Sequence, residues 1–60
     1  MNILVTGSAG HLGEAVVRSV RGTDHQAVGA DLLNSEYTNL VGSIVDRDFV
    51  KQCVNGVDAI

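Results

Sequence analysis

The apolar positions of this chain change their period along its length, and each change marks an element. Ile3-Leu4-Val5, bounded by Asn2 and Thr6, is a short apolar run that predicts a strand over residues 2–6. From His11 onward, Leu12, Ala15, Val16 and Val20 recur at i, i+3, i+4 and i+8. That spacing predicts a helix over 11–21 with those four on its buried face. Glu14 and Arg18 form an i, i+4 pair on its outer face, Arg21 suits the negative helix end, and Gly22 suits a left-handed stop. Ala27-Val28-Gly29-Ala30 lies in a second strand, residues 26–31, which ends on Asp31. Residues 32–38 carry neither period and read as a loop or a short helical turn. Leu40, Val41, Ile44 and Val45 place a third strand over 39–45. Asp46 suits the N-cap of a second helix, with Asp48 in its first turn. Phe49, Val50, Cys53, Val54 and Val57 form the stripe of that helix, and Gly56 ends it. Val57 opens a fourth strand, so the expectation is a segment that stops within strand four.

Strands alternating with helices predict an α/β fold with a doubly wound parallel sheet. Right-handed crossovers give the strand order 3-2-1, with strand four returning to the other side of strand one. A ligand crevice is then expected between strands one and four, above their C-terminal ends, with residues 6–12 at its edge.

The turn between the first strand and the first helix reads Thr6-Gly7-Ser8-Ala9-Gly10-His11-Leu12-Gly13. A strand, a glycine-rich turn and a helix in that order build a cradle for a phosphate. The N–H groups of the turn and of the first helical residues are expected to point at one spot, which the helix dipole makes favourable for an anion. Gly7 turns the chain off the strand, Gly10 leaves room for a pyrophosphate, and Gly13 permits close packing of the helix. The spacing is G-x-x-G-x-x-G rather than G-x-G-x-x-G. Asp31 lies 18 residues beyond Gly13, near the ~20 expected of a carboxylate that binds a ribose. No Lys-Ser or Lys-Thr follows the glycines, which argues against a P-loop.

Sixty residues make one small domain, near the lower limit for independent folding. Its apolar content is mostly Val, Leu, Ile and Ala, which fits parallel strands covered on both faces. The net charge is −3 and the basic residues Arg18, Arg21, Arg47 and Lys51 form no run, which argues against nucleic acid as a partner. The first apolar run is too short for a membrane span or signal peptide. One cysteine, Cys53, makes no internal disulfide and reads as a small buried residue; a cytoplasmic location is the default. His11, His25 and Cys53 lack metal-ligand spacing, and no metal is expected.

With these motifs in hand, the chain resembles the N-terminal part of extended short-chain dehydrogenases/reductases of the NAD-dependent epimerase/dehydratase type. The residues that carry the resemblance are the T-G-x-x-G-x-x-G of 6–13, Asp31 after strand two, Gly42-Ser43-Ile44-Val45-Asp46, and the terminal Gly-Val-Asp-Ala-Ile. It implies that residues 1–60 are part of an NAD(P)-binding Rossmann domain. Gly7, Gly10 and Gly13 would shape the phosphate turn, the N–H groups of His11 and Leu12 would approach the pyrophosphate, and Asp31 would hold the adenosine ribose. Ser43 and Ile44 would lie beside adenine, although the family often has aspartate where this chain has Ser43. The carboxylate of Asp31, followed by Leu32 and Leu33 rather than a basic residue, favours NAD over NADP. The family's catalytic Y-x-x-x-K is not found: the one tyrosine, Tyr37, is followed four residues later by Val41. No residue of this chain is assigned to catalysis. The resemblance further implies a longer parent enzyme with a small-molecule substrate, compatible with a homodimer. A non-catalytic relative that senses a dinucleotide and an adenosyl-methionine-dependent transferase are the alternatives.

Overall fold

A computed structural model describes residues 1–60. Strand β1 (Asn2–Thr6) leads through the glycine turn into helix α1 (His11–Arg21), and strand β2 (Gln26–Asp31) follows. A loop then reaches the two-residue strand β3 (Leu40–Val41), and helix α2 (Arg47–Val54) completes the order. The sheet is parallel with β2 at its centre. On the outer edge of β1 the chain returns: Ile3 and Ala59 form a parallel bridge, and the Leu4 N–H donates to Ala59 O at 2.8 Å. The strand order is therefore 3-2-1, with the start of a fourth beside β1, as the crossover rule requires.

Alternation along the strands sorts side chains to the two faces. Leu4, Val28 and Ala30 share one face, and Cys53 of α2 packs on Leu4 and Ala30, with Phe49, Leu40 and Val57 around them. Burial pushes the Cys53 thiol above its ordinary 9.0, so it sits there as a neutral apolar group. Val17, the fully buried centre of α1, is not part of that cluster. Helix α1 covers the opposite face, where burying one valine contributes roughly 2 kcal/mol.

Three sequence expectations are corrected. The buried face of α1 is Gly13 and Val17, with Val20 half-buried, whereas Leu12 is 79% exposed and Ala15 and Val16 face solvent. Gly13 fixes this rotation, because it sits directly beneath the turn. A Cβ there would collide with the carbonyl of Gly7. Leu12 is then swung about 100° round the helix from the buried line. The third strand is shorter than 39–45. Its last ladder bond is Gly42 N–H to Asp31 O, after which the Asp46 N–H donates back to Ser43 O and turns the chain into α2. Ile44 and Val45 ride on that turn in solvent. Gly22 is not left-handed (φ −80°); α1 ends instead in tight turns, with the Thr23 hydroxyl and N–H both donating to Val20 O. Gly56 does take a positive φ, +76°, just past α2.

Charged residues follow the surface. Arg18 and Glu14 approach to 3.9 Å on the outer face of α1. Arg21 donates to Glu36 O and lies over the Tyr37 ring, 5.2 Å from its centre, so it ties the helix end to the β2–β3 loop rather than only serving the dipole. Asp58, also exposed, accepts the Asn2 N–H at 2.7 Å and closes the start of β1. No helix is long and apolar enough to cross a membrane.

Candidate functional site

The C-terminal ends of the three strands open into one cleft of about 300 Å³. Thr6 and Gly7 line it from β1, Ala30, Asp31 and Leu32 from β2, and Gly42, Ser43 and Ile44 from beyond β3. It therefore lies over β1, β2 and β3. Bends after Asp31 and Val41, together with the turn after Thr6, leave this end of the sheet uncovered. No basic side chain lines the cleft.

Of the eight residues singled out from the sequence, Gly7, Asp31, Ser43 and Ile44 meet in this cleft. Gly10, His11 and Leu12 are exposed at the start of α1, next to the Gly7 end. Gly13 is buried under the turn and has a packing role. Thr6, expected at the edge of the crevice, lines the cleft, and Ala30, Leu32 and Gly42 line it without having been expected there. Gly42 had a signal of its own: a Cβ at this position would meet the ring of Phe49, so a glycine is needed before the apolar stripe of α2 can close on the sheet.

The hydrogen bonds decide which donors are free. Gly7 takes a left-handed φ of +73° and, with Ser8, donates its N–H to Ala30 O, at 2.8 and 3.3 Å. The Ala9 N–H donates to Asp31 Oδ2 at 3.0 Å, and the Gly10 N–H to Gly7 O at 3.0 Å. Every N–H from Gly7 to Gly10 is thus used inside the fold, against the expectation that the turn itself offers donors. The first intrahelical bond is Glu14 N–H to Gly10 O. His11, Leu12 and Gly13 have no acceptor for their N–H groups, and Gly10, the N-cap, has no side chain to supply one. The anion-attracting end of α1 is open at these three residues.

Asp31 is half-buried and serves two segments at once. Oδ1 accepts the Leu33 N–H at 2.9 Å and Oδ2 accepts the Ala9 N–H. The Leu33 bond, then the Ala9 bond, hold its carboxyl below the ordinary 3.8, with partial desolvation opposing them. An ionised carboxylate has about four lone-pair sites, so acceptor capacity remains on its cleft side. Ser43 Oγ accepts the Val45 N–H at 3.2 Å; its hydroxyl proton is free to donate.

No protein-family model matches the chain, and no curated protein does. Among solved structures, it is similar to a short-chain dehydrogenase/reductase superfamily protein from Agrobacterium tumefaciens with bound NAD, at 34% identity and a TM-score of 0.87. That match covers 100% of this chain and 20% of the other, so the chain spans about a fifth of the length of its solved neighbour. Its fold is that of the N-terminal Rossmann-type part of a short-chain dehydrogenase/reductase.

Proposed function

We propose that this chain is the dinucleotide-binding portion of a short-chain oxidoreductase, of the extended epimerase/dehydratase type, and that its cofactor is NAD. The observation that carries the reading is the pairing of an open helix end with a carboxylate-bearing cleft. The N–H groups of His11, Leu12 and Gly13 lack acceptors, and the cleft beside them holds Asp31 with acceptor capacity to spare. A pyrophosphate flanked by an adenosine presents the matching groups, an anion and a ribose diol. Asp31 would accept the ribose hydroxyls, while Ser43 and Ile44 would flank adenine. Bound NAD supplies a hydride acceptor; the groups that move protons on a small-molecule substrate belong to residues other than these. NADP is disfavoured because its 2′-phosphate would meet the Asp31 carboxylate with no arginine or lysine lining the cleft to offset it. The NAD bound to the solved neighbour supports the same choice.

Thermal melts of the chain with NAD, NADP or adenosyl-methionine test this. A ligand that binds only the folded state raises its stability by about 2.7 kcal/mol at a hundredfold excess over the dissociation constant. NAD is expected to raise the melting temperature and NADP to raise it less. Stabilisation by adenosyl-methionine alone would sink the reading, because that ligand has no pyrophosphate to occupy the open helix end.

A further inference from the structure

Ser8 stands in the glycine turn but offers nothing to a ligand. Its N–H goes to Ala30 O, and its side chain is fully buried. The hydroxyl has one partner, Thr38 Oγ1 at 2.8 Å. Thr38 Oγ1 lies in turn 2.9 Å from Ser35 Oγ, which accepts the Tyr37 N–H at 3.2 Å. A hydroxyl has one proton to give. The Ser8 proton finds no acceptor except Thr38, and a buried O–H without an acceptor is strongly disfavoured. Ser8 is therefore the donor to Thr38 Oγ1, and Thr38 Oγ1 and Ser35 Oγ, both half-buried, continue the chain of hydroxyls towards the surface.

This chain crosses from the glycine turn to the β2–β3 loop at a point of backbone contact. A Cβ on Gly29 would collide with the Tyr37 carbonyl and with the Ser8 side chain. Turn, central strand and loop meet there with only a glycine between them. Asn39 holds the loop in place: its Oδ1 accepts the Gly29 N–H and its own N–H donates to Gly29 O, both at 2.8 Å. On its other side the turn is held by Asp31 at Ala9. The segment leading into the open helix end is thus gripped twice, by a hydroxyl at Ser8 and by a carboxylate at Ala9.

We infer that Thr38 is a positioning residue for the pyrophosphate of the dinucleotide: through Ser8 it fixes the turn, and with it the direction of the His11 and Leu12 N–H groups, without touching the ligand. The inference rests on the reading of the site as a dinucleotide site. It has a consequence that simple support of the fold does not share. Thr38 makes no hydrogen bond to the residues of the adenosine end, Asp31, Ser43 and Ile44, whereas through Ser8 it holds the turn that leads into the pyrophosphate end.

The test compares NAD with adenosine on the same proteins. Dissociation constants are measured for the unsubstituted chain, for Thr38→Ser, for Thr38→Val, and for Ser8→Ala combined with Thr38→Val. Thr38→Val strands the buried Ser8 proton and lowers the melting temperature. The double substitution removes both partners, so the melting temperature recovers while the clamp stays absent. The expected result for the double variant is a loss of NAD affinity of about tenfold, or about 1.4 kcal/mol, with adenosine affinity unchanged. Thr38→Ser, which keeps the hydroxyl, restores NAD binding. The inference is overturned if the double variant binds NAD as the unsubstituted chain does, or if NAD and adenosine weaken in equal proportion. If the unsubstituted chain binds neither ligand, the reading of the site falls first and this inference with it.

Discussion

The chain makes the same move twice, a strand turning into a helix, and finishes it in opposite ways. Helix α2 begins at Asp46, whose side chain accepts the N–H groups of Asp48 and Phe49 at 3.0 and 3.3 Å. Helix α1 begins at Gly10, which has no side chain, and its first three N–H groups have no acceptor. The two N-cap residues share an extended backbone, φ −88° for Asp46 and −82° for Gly10. Geometry does not forbid a cap on α1; the residue type withholds it. A side-chain cap is worth about 1 kcal/mol over alanine but only a few tenths over glycine, so α1 forgoes little by leaving its end open. The rest of the structure shows what each helix serves. The capped helix contributes Cys53 to the core, while the uncapped one starts beside the cleft that holds Asp31.

The most severe way to break the α1 joint is to fill the space beneath its turn. In Gly13→Ala the new Cβ meets the backbone of Gly7 and Ser8, which cannot swing aside as a flexible side chain would. Overpacking of this kind costs up to about 3 kcal/mol, comparable with the whole stability of a domain this small. Circular dichroism in urea is expected to show an unfolded or molten chain. Near-native stability would mean the helix can rise off the turn, and the rotation of α1 would then need another cause.

Gly10→Asp exchanges the two helix ends. The Cβ would lie 3.4 Å from Gly7 O, an ordinary contact, so the substitution should fold. The new carboxylate would accept the N–H groups that α1 leaves open and add a few tenths of a kcal/mol over glycine. It would also put negative charge where a pyrophosphate belongs. The expected result is a melting temperature equal to or above that of the unsubstituted chain, together with at least a tenfold loss of NAD affinity, about 1.4 kcal/mol. Retained affinity would show that the anion does not sit on this helix end.

Asp46→Ala is the reverse exchange. It removes the cap of α2 and should cost about 1 kcal/mol, read as a lower urea midpoint with an unchanged slope. NAD affinity of the folded protein should not change, since Asp46 does not line the cleft. A parallel loss of affinity would mean that the two helix ends are coupled.

These contrasts also show what the sequence discloses. The bounds of β1, α1 and β2 follow from period and punctuation, because each is flanked by residues that end one pattern before the next begins. Asp46 was legible as a cap for the same local reason. Rotation was not legible. Leu12, Ala15 and Val16 present a regular apolar stripe, but the contact between Gly13 and Gly7 sets the azimuth of α1, and no hydrophobicity pattern weighs a missing side chain. The length of the third strand was misread because Ile44 and Val45 are apolar, while the bond from Asp46 N–H to Ser43 O had already turned the chain. At the site, spacing from the glycine turn singled out Asp31, and the family resemblance placed Ser43 beside adenine; local sequence went no further. It did not reveal that Ala30 and Asp31 consume the turn's own donors, nor that Ser8 reaches across to Thr38. Those are pairings between segments 22 or more residues apart, which local pattern does not encode.

The smallest difference between the helices lies on their outer faces. Helix α1 carries the Glu14–Arg18 pair at 3.9 Å, with the arginine side chain 66% exposed, and α2 has no such pair. A solvated i, i+4 pair contributes ~0.2–0.5 kcal/mol and weakens as salt screens it. Arg18→Ala is therefore expected to lower stability by a few tenths of a kcal/mol at low ionic strength, and by less in high salt, with NAD affinity unchanged. The small size is the informative part. Gly13 and Val17 hold α1 from inside, so its seating should be indifferent to a pair on the far side. A loss above about 1 kcal/mol, beyond what such exposed pairs supply, would mean that the aliphatic stem of Arg18 packs on the helix, and that α1 is held from both sides rather than from its buried line alone.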